Sequence, residues 1–283
     1  MTAPPAFTQP ATTRDPVSAM ILAAGRGERM RPLTDVTPKP LLRVQGKPLM
    51  QWQMEALVRS GVGLAVVNTA WLGEQISHTF GSVFGLQRPS SMREQLSKEE
   101  QLLLRYSHEG VDFGAALETA GGIARALPML SEVFWVMAGD VFAPDFAFSQ
   151  NAVDAFTASD KLAHIWLVPN PTHHPAGDFG LDLVKAAAGN SNDATQDWGV
   201  ALDLPDTDIR PRYTYSTIGL YRRALFGPPW CNIPPGNPLG ARAPLGPLLR
   251  TAMAQRLVSA EVYHGCWTDV GTPQRLEQLN AAG

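Results

Sequence analysis

The 283-residue chain is 45% apolar and 17% charged, with a formal net charge of -3 and a pI of about 6.1. That is apolar material enough for a large core, with no basic field to attract nucleic acid or an anionic surface. Cys231 and Cys266 form no Cys-x-x-Cys pair, which argues against a disulfide framework and a zinc knuckle and suits a reducing, cytoplasmic compartment. No run reaches the roughly 18–20 uninterrupted apolar residues of a membrane span.

Residues 1–16 mix Pro, Thr and Ala without a basic start, an apolar stretch or a cleavage pattern. They read as a disordered N-terminal extension, with the folded domain over 17–283. Val17–Ala24, bounded by Pro16 and Gly25, reads as a strand buried on both faces, the kind found in α/β sheets. After a Gly- and Pro-rich loop, a helix is expected over Leu49–Ser60, with Leu49, Trp52, Leu57 and Val58 on one face and Gly61 as its stop. Val62–Asn68 returns to strand. Arg88–Arg105, carrying Arg93, Glu94, Lys98, Glu99 and Glu100, reads as a polar, solvated helix inside a charged insertion over about 86–103. Buried strands are expected again at Phe134–Ala138 and Leu162–Val168. Asp203–Arg212 and Gly227–Gly246, rich in Pro and Gly, read as surface connections. Pro273–Asn280, with Leu276 and Leu279 on one side, reads as a short closing helix.

The loop after the first strand runs Leu22-Ala-Ala-Gly25-Arg-Gly27-Glu-Arg29-Met-Arg31-Pro32. Its glycines let backbone amides approach a ligand, and three arginines plus Lys39 surround them, which suits a triphosphate. A dinucleotide fingerprint would need a third glycine where Met30 stands. A P-loop would need Gly-Lys-Ser/Thr, whereas Gly46-Lys47 is followed by Pro48.

The pattern Leu22-Ala-Ala-Gly-x-Gly-x-Arg29-Met-x-Pro32-Leu33-Thr34, then Pro38-Lys39-Pro40-Leu41, resembles the signature of sugar-1-phosphate nucleotidylyltransferases. The resemblance continues through Asn68–Gly73, Glu118–Ile123, Gly139-Asp140, Asn170–Phe179 and Trp267–Thr272. It implies a single three-layer α/β/α domain with a mostly parallel central sheet, of the nucleotide-diphospho-sugar transferase type. The Asn170-Pro-Thr-His173-His174 stretch followed by Gly177-Asp178-Phe179 implies UTP and N-acetylmuramate α-1-phosphate as small-molecule substrates, in peptidoglycan recycling. Family members using mannose 1-phosphate with GTP, or glucose 1-phosphate with dTTP, are the alternatives. A non-catalytic nucleotide-sugar sensor is a third, one free to lose Arg29, Lys39 or Asp140, all of which this chain keeps. The resemblance leaves a monomer and a small homo-oligomer equally open.

In such a reaction a sugar-phosphate oxygen attacks the α-phosphorus of a nucleoside triphosphate and expels pyrophosphate. The nucleophile is already an anion, so cations and positioning matter more than a general base. A hard Mg²⁺ ion takes one or two carboxylates plus phosphate oxygens and water. Asp140, at the carboxyl end of the strand ending at Ala138, is the first ligand, and the resemblance supplies Asp269 as the second. Arg29 and Lys39 complete the catalytic set, whereas Arg26 and Arg31 read as surface cations or local ion-pair partners. The nucleotide is expected against Ala23, Ala24, Gly25, Gly27, Arg29, Lys39, Thr119, Gly121 and Gly122. Ala120 stands where the resemblance leads one to expect glycine. Asn68 reads equally as a strand-end asparagine and as a sugar or base contact. Asn170, Asp178 and Thr217 are expected on the sugar. Zinc is not expected, because adjacent histidines such as His173 and His174 chelate one ion poorly and no further His or Cys sits at zinc-like spacing.

Overall fold

The computed structural model describes residues 16–86, 100–183 and 198–281. Positions 1–15 of the expected extension and 87–99 of the expected insertion lie outside the described residues. In chain order the elements are β1 (Ser18–Ala23), α1 (Leu33–Val36), β2 (Arg43–Val44), β3 (Lys47–Pro48), α2 (Leu49–Arg59), β4 (Leu64–Thr69), α3 (Gly73–Phe80) and β5 (Val83–Gly85). There follow β6 (Gln101–His108), α4 (Glu109–Phe113), α5 (Glu118–Ala126), β7 (Val133–Ala138), β8 (Val141–Phe142), α6 (Gln150–Ala158) and β9 (Ala163–Val168). The last are β10 (Phe179–Leu183), β11 (Trp198–Leu202), β12 (Arg212–Arg222), α7 (Leu245–Ala254), β13 (Val258–Val262), β14 (Thr268–Asp269) and α8 (Pro273–Ala281).

Among the described residues ten strands form one sheet in the order β10-β11-β13-β9-β12-β7-β1-β4-β6-β5. Pairing directions make β1, β4, β6, β7, β9, β10 and β13 run one way and β5, β11 and β12 the other. The alternation of β1 explains the layers. Ala19, Ile21 and Ala23 face a core closed by Met50, Met54 and Leu57 of α2, Ile76 of α3 and Phe156 of α6. Met20 faces the opposite core, closed by Ala120 and Ile123 of α5 and Leu249 and Met253 of α7. Strands covered by helices on both faces are apolar throughout, and the result is the three-layer α/β/α arrangement expected of the sequence. A third cluster of Met30, Leu42, Val44, Leu49, Phe142, Val270 and Leu276 ties the loop after β1 to β14 and α8. Among the described residues no helix is long and apolar enough to cross a membrane.

One expectation is corrected here. Gln101–Arg105 was read within a polar helix, but it opens β6, between β4 and β5. Leu102 and Leu104 are buried while Leu103 is half exposed, so the period is two and the segment satisfies its backbone in ladders on both sides.

A partly buried polar cluster crosses β9 and β13, where His164 Nδ1 lies 2.9 Å from Ser259 Oγ. Burial pushes the His164 imidazolium down from 6.5 to about 4. Glu261 Oε2 stands 3.8 Å from the other ring nitrogen, but its own carboxyl is pushed up by burial and does not offset the loss of water. The unfolded chain therefore takes up a proton near pH 6.5 that the folded chain refuses until about pH 4. Stability from this site is complete above that window and is lost as pH falls through it, by about 3 kcal/mol in all. Urea unfolding at pH 7.5 and pH 4 should show His164→Gln, which cannot charge, gaining about that much on the wild type at the lower pH.

Candidate active site

A cleft of 730 Å³ opens where β1, β4 and β7 end and β12 bends, inside the range of roughly 300–1,000 Å³ usual for small-molecule sites. Its lining includes Ala23, Ala24, Gly25, Gly27, Arg29, Lys39, Thr119, Asp140 and Thr217 of the residues singled out in the sequence. The loop after β1 enters it through Gly27 at φ +66°, where a Cβ would stand 2.9 Å from Thr34 Cγ2 and 3.3 Å from Lys39 Cβ. The turn is held by Thr34 Oγ1 and Met30 N, both donating to Gly27 O at 2.8 and 2.9 Å. Met30 is fully buried beneath it, which fixes the backbone and leaves Arg29 exposed, without an ion-pair partner among the described residues.

Gly25 shows the opposite logic, since a Cβ there would meet nothing within 4 Å. Packing does not require this glycine, and the open space belongs to whatever fills the cleft. Gly25→Ala should keep or slightly raise the melting temperature, because alanine reduces the entropy of the unfolded chain. The same change should weaken binding of the nucleoside triphosphate expected from the sequence about tenfold, or ~1.4 kcal/mol, in a calorimetric titration.

Arg26 and Arg31 do not face the cleft. Arg26 lies over the Trp71 ring at 3.3 Å, donates to Thr34 O at 3.2 Å and pairs with Asp35 at 3.6 Å. Arg31 pairs with the same carboxylate at 3.3 Å. Both hold the loop.

Lys39 is 8% exposed, and its Nζ donates to Asp140 Oδ2. A buried ammonium needs such a partner. Asp140 reaches this place because Gly139 lets β7 hug β1. Gly139 N donates to Leu22 O at 2.8 Å, and a Cβ on Gly139 would lie 3.0 Å from that oxygen. Gln53 of α2 clamps the turn, donating to Ala138 O and, at 3.0 Å, to Val141 O.

Asp269 is brought to the same rim by the β8–β14 ladder, in which it faces Val141, while Val270 N donates to Asp140 O at 2.9 Å. Its Oδ1 accepts from Arg275 Nη1 and lies 2.9 Å from His173 Nε2. Asp140 Oδ1 and Asp269 Oδ2 accept no hydrogen bond among the described residues. Two hard carboxylates, each with an oxygen unpaired among the described residues at the rim of the cleft, fit an ion that completes its shell with phosphate oxygens and water. Among the described residues no group of three or more His, Cys, Asp or Glu gathers as a closed metal cage.

Four expected contacts are placed elsewhere. Gly121 and Gly122 are buried inside α5. A Cβ on Gly121 would stand 2.5 Å from Ala241 O, and one on Gly122 2.6 Å from Glu109 Oε1. Both glycines are therefore small for packing, and the amide of Gly121, like that of Ala120, already donates to Ala243 O. Asn170 donates to Pro175 O and Arg212 O and accepts from Thr214 Oγ1. Asp178 accepts from Tyr215 N at 2.8 Å and lies 3.2 Å from His174 Nε2. These two fasten the 170–178 loop to β12 and line no part of the cleft.

Thr217 does line it. It occupies the register shift of β12 against β9 at φ +65°, an unusual setting for a β-branched residue. Its buried Oγ1 has no hydrogen-bond partner among the described residues, which suits a ligand contact. Tyr215, Pro244, Leu245, Gly246 and Gly271 also line the cleft. Tyr215 belongs to β12, the strand that also carries Thr217. The start of α7 carries no local signal, because only the fold brings it there.

The chain matches the family model for nucleotidyl transferases over residues 18–187. It is 40% identical to the N-acetylmuramate alpha-1-phosphate uridylyltransferase of Neisseria meningitidis serogroup B, over 94% of this chain and 97% of the relative. It is 29% identical to the protein of the same name from Caulobacter vibrioides, over 78% of this chain and 89% of the relative. Among solved structures, a UTP-bound UGPase from Acinetobacter baumannii superposes with a TM-score of 0.66 at 14% identity, covering 94% of this chain and 92% of that one.

Proposed function

The chain belongs to the nucleotidyl transferase family, and on that premise we propose that it joins UTP to N-acetylmuramate α-1-phosphate, giving UDP-N-acetylmuramate and pyrophosphate. The observation that carries nucleotidyl transfer is the meeting, in one cleft, of the glycine-bearing loop, the exposed Arg29 and the Lys39–Asp140 pair. The sugar and the base rest on the Neisseria relative, whose likeness runs nearly the whole length of both chains. A cytosolic place in peptidoglycan recycling, as a monomer or small homo-oligomer, belongs to the same proposal.

The new bond joins an oxygen of the sugar phosphate to the α-phosphorus, and the bond from that phosphorus to the β-phosphate oxygen breaks. The electron pair leaves on pyrophosphate. Arg29 is placed to meet charge gathering on the triphosphate. Lys39, a compact point charge, would be shared between Asp140 and phosphate oxygens, and it acts with little reorganisation because the Asp140 contact fixes it. Open space over Gly25 admits the nucleotide beside the main chain of Ala23 and Ala24, and the unpaired hydroxyl of Thr217 faces the acceptor. Mg²⁺, held by Asp140 with Asp269 as second carboxylate, would offset the repulsion between the two anionic reactants.

Pyrophosphate release from matched pairs tests the assignment. Turnover should be greatest with UTP and N-acetylmuramate α-1-phosphate. Greatest turnover with GTP and mannose 1-phosphate, or with dTTP and glucose 1-phosphate, would overturn the substrate choice. Nucleotide-sugar binding without turnover on any pair would favour a sensor.

A further inference from the structure

Glu109 opens α4 and is fully buried, 0% exposed, in a place the chemistry above leaves unused. Its two oxygens each take one donor. Oε1 accepts from Asn68 Nδ2 at 2.7 Å, and Oε2 accepts from Leu117 N at 2.7 Å. Asn68 in turn accepts from Ala23 N through Oδ1 at 2.8 Å. A chain of three hydrogen bonds thus runs from the end of β1, across the end of β4, to the residue before α5. Both of its ends are cleft walls, since Ala23 and Ala24 line one side and Glu118 and Thr119 the other. Glu118 sits at φ +60°, so the turn beside Leu117 is held in a conformation it would not choose alone. Gly122 leaves room for the carboxylate, because a Cβ there would stand 2.6 Å from Oε1.

The chain has a forced polarity. Backbone N–H groups at Ala23 and at Leu117 both donate inward, so one link between them must accept on both sides. Asparagine cannot do this alone, having one acceptor and one donor end. A carboxylate can. Burial pushes the Glu109 carboxyl up, while the Leu117 amide, the Asn68 side chain and the charge of Arg125 hold it down.

We propose that Glu109 is a positioning residue for the nucleotide: the acceptor-only link that sets the spacing between the Ala23–Ala24 wall and the Glu118–Thr119 wall of the cleft. This rests on the reading of the cleft as a nucleotide site. Glu109 touches neither Arg29, Lys39 nor Asp140, so its influence falls on binding and not on the chemical step.

The polarity argument supplies its own test. In Glu109→Gln one N–H must face another whichever way the two amides are turned, because the chain then has donors at both ends and no double acceptor. In Asn68→Asp with Glu109→Gln the double acceptor moves to position 68, where it takes Ala23 N and the new amide, and the glutamine oxygen takes Leu117 N. UTP affinity is measured by calorimetric titration, with KM and kcat for the matched pair. Glu109→Gln should weaken UTP binding at least tenfold and raise KM similarly, with kcat within threefold of wild type. The double variant should recover to within fivefold. Val153→Ala, in the core under α6 and far from the cleft, should lower the melting temperature while leaving UTP affinity unchanged.

UTP affinity within twofold of wild type in Glu109→Gln, whatever its melting temperature, would overturn the proposal, as would a double variant no better than the single one. If the single variant does not fold, the double variant decides alone: folded protein binding UTP within fivefold supports the relay, and its loss contradicts it. A wild-type protein that binds no nucleoside triphosphate would instead remove the nucleotide reading, and this inference with it.

Discussion

Asp140→Asn should lower kcat/KM by about 10³-fold, or roughly 4 kcal/mol of transition-state stabilisation. Asparagine keeps the shape and an oxygen for Lys39, so the turn at Gly139 and the clamp from Gln53 survive. What disappears is the negative charge that balances an ammonium 8% exposed and that would hold a divalent ion beside Asp269. Steady-state pyrophosphate release, with circular dichroism to confirm the fold, reads the effect. The Mg²⁺ concentration needed for half-maximal rate should rise as well. Wild-type turnover in Asp140→Asn would remove this carboxylate from the chemistry.

Arg29→Ala should reduce kcat by about 10²-fold to 10³-fold, the scale for removing one preorganised group aimed at developing charge. It should leave stability within about 0.5 kcal/mol of wild type, as befits an exposed side chain without partners among the described residues. That pairing of outcomes separates Arg29 from its neighbour. Arg26 stacks on Trp71 and pairs with Asp35, so Arg26→Ala acts through the loop and lowers the melting temperature. A thermal melt beside single-turnover rates distinguishes them. An Arg29→Ala protein that is destabilised yet fully active would contradict the role given to this residue.

Much of the fold is legible from local pattern. Continuous apolar runs such as Ser18–Ala23 and Val133–Ala138 announce strands covered on both faces, and Gly61 marks the stop of α2. Gln101–Arg105 misleads because Leu103 is exposed between two buried leucines, so the alternation is hidden beside an acidic stretch. At the cleft, a glycine signals close approach without saying what approaches. At Gly25 there is open space, at Gly139 the backbone of β1, at Gly121 the 241–243 segment. Asn170 and Asp178 illustrate a second limit, since polar residues in a recognisable stretch can spend their hydrogen bonds on fastening the loop that carries them to a neighbouring strand. Glu109 has no signal in spacing at all. Its meaning comes from two backbone donors that only the sheet order and the entry to α5 bring together.

The most direct test follows the phosphorus atoms. With [α-³²P]UTP and N-acetylmuramate α-1-phosphate the label should appear in UDP-N-acetylmuramate, and with [γ-³²P]UTP it should leave entirely as pyrophosphate. Label from the γ position on the sugar, or released as orthophosphate, would contradict nucleotidyl transfer in this cleft.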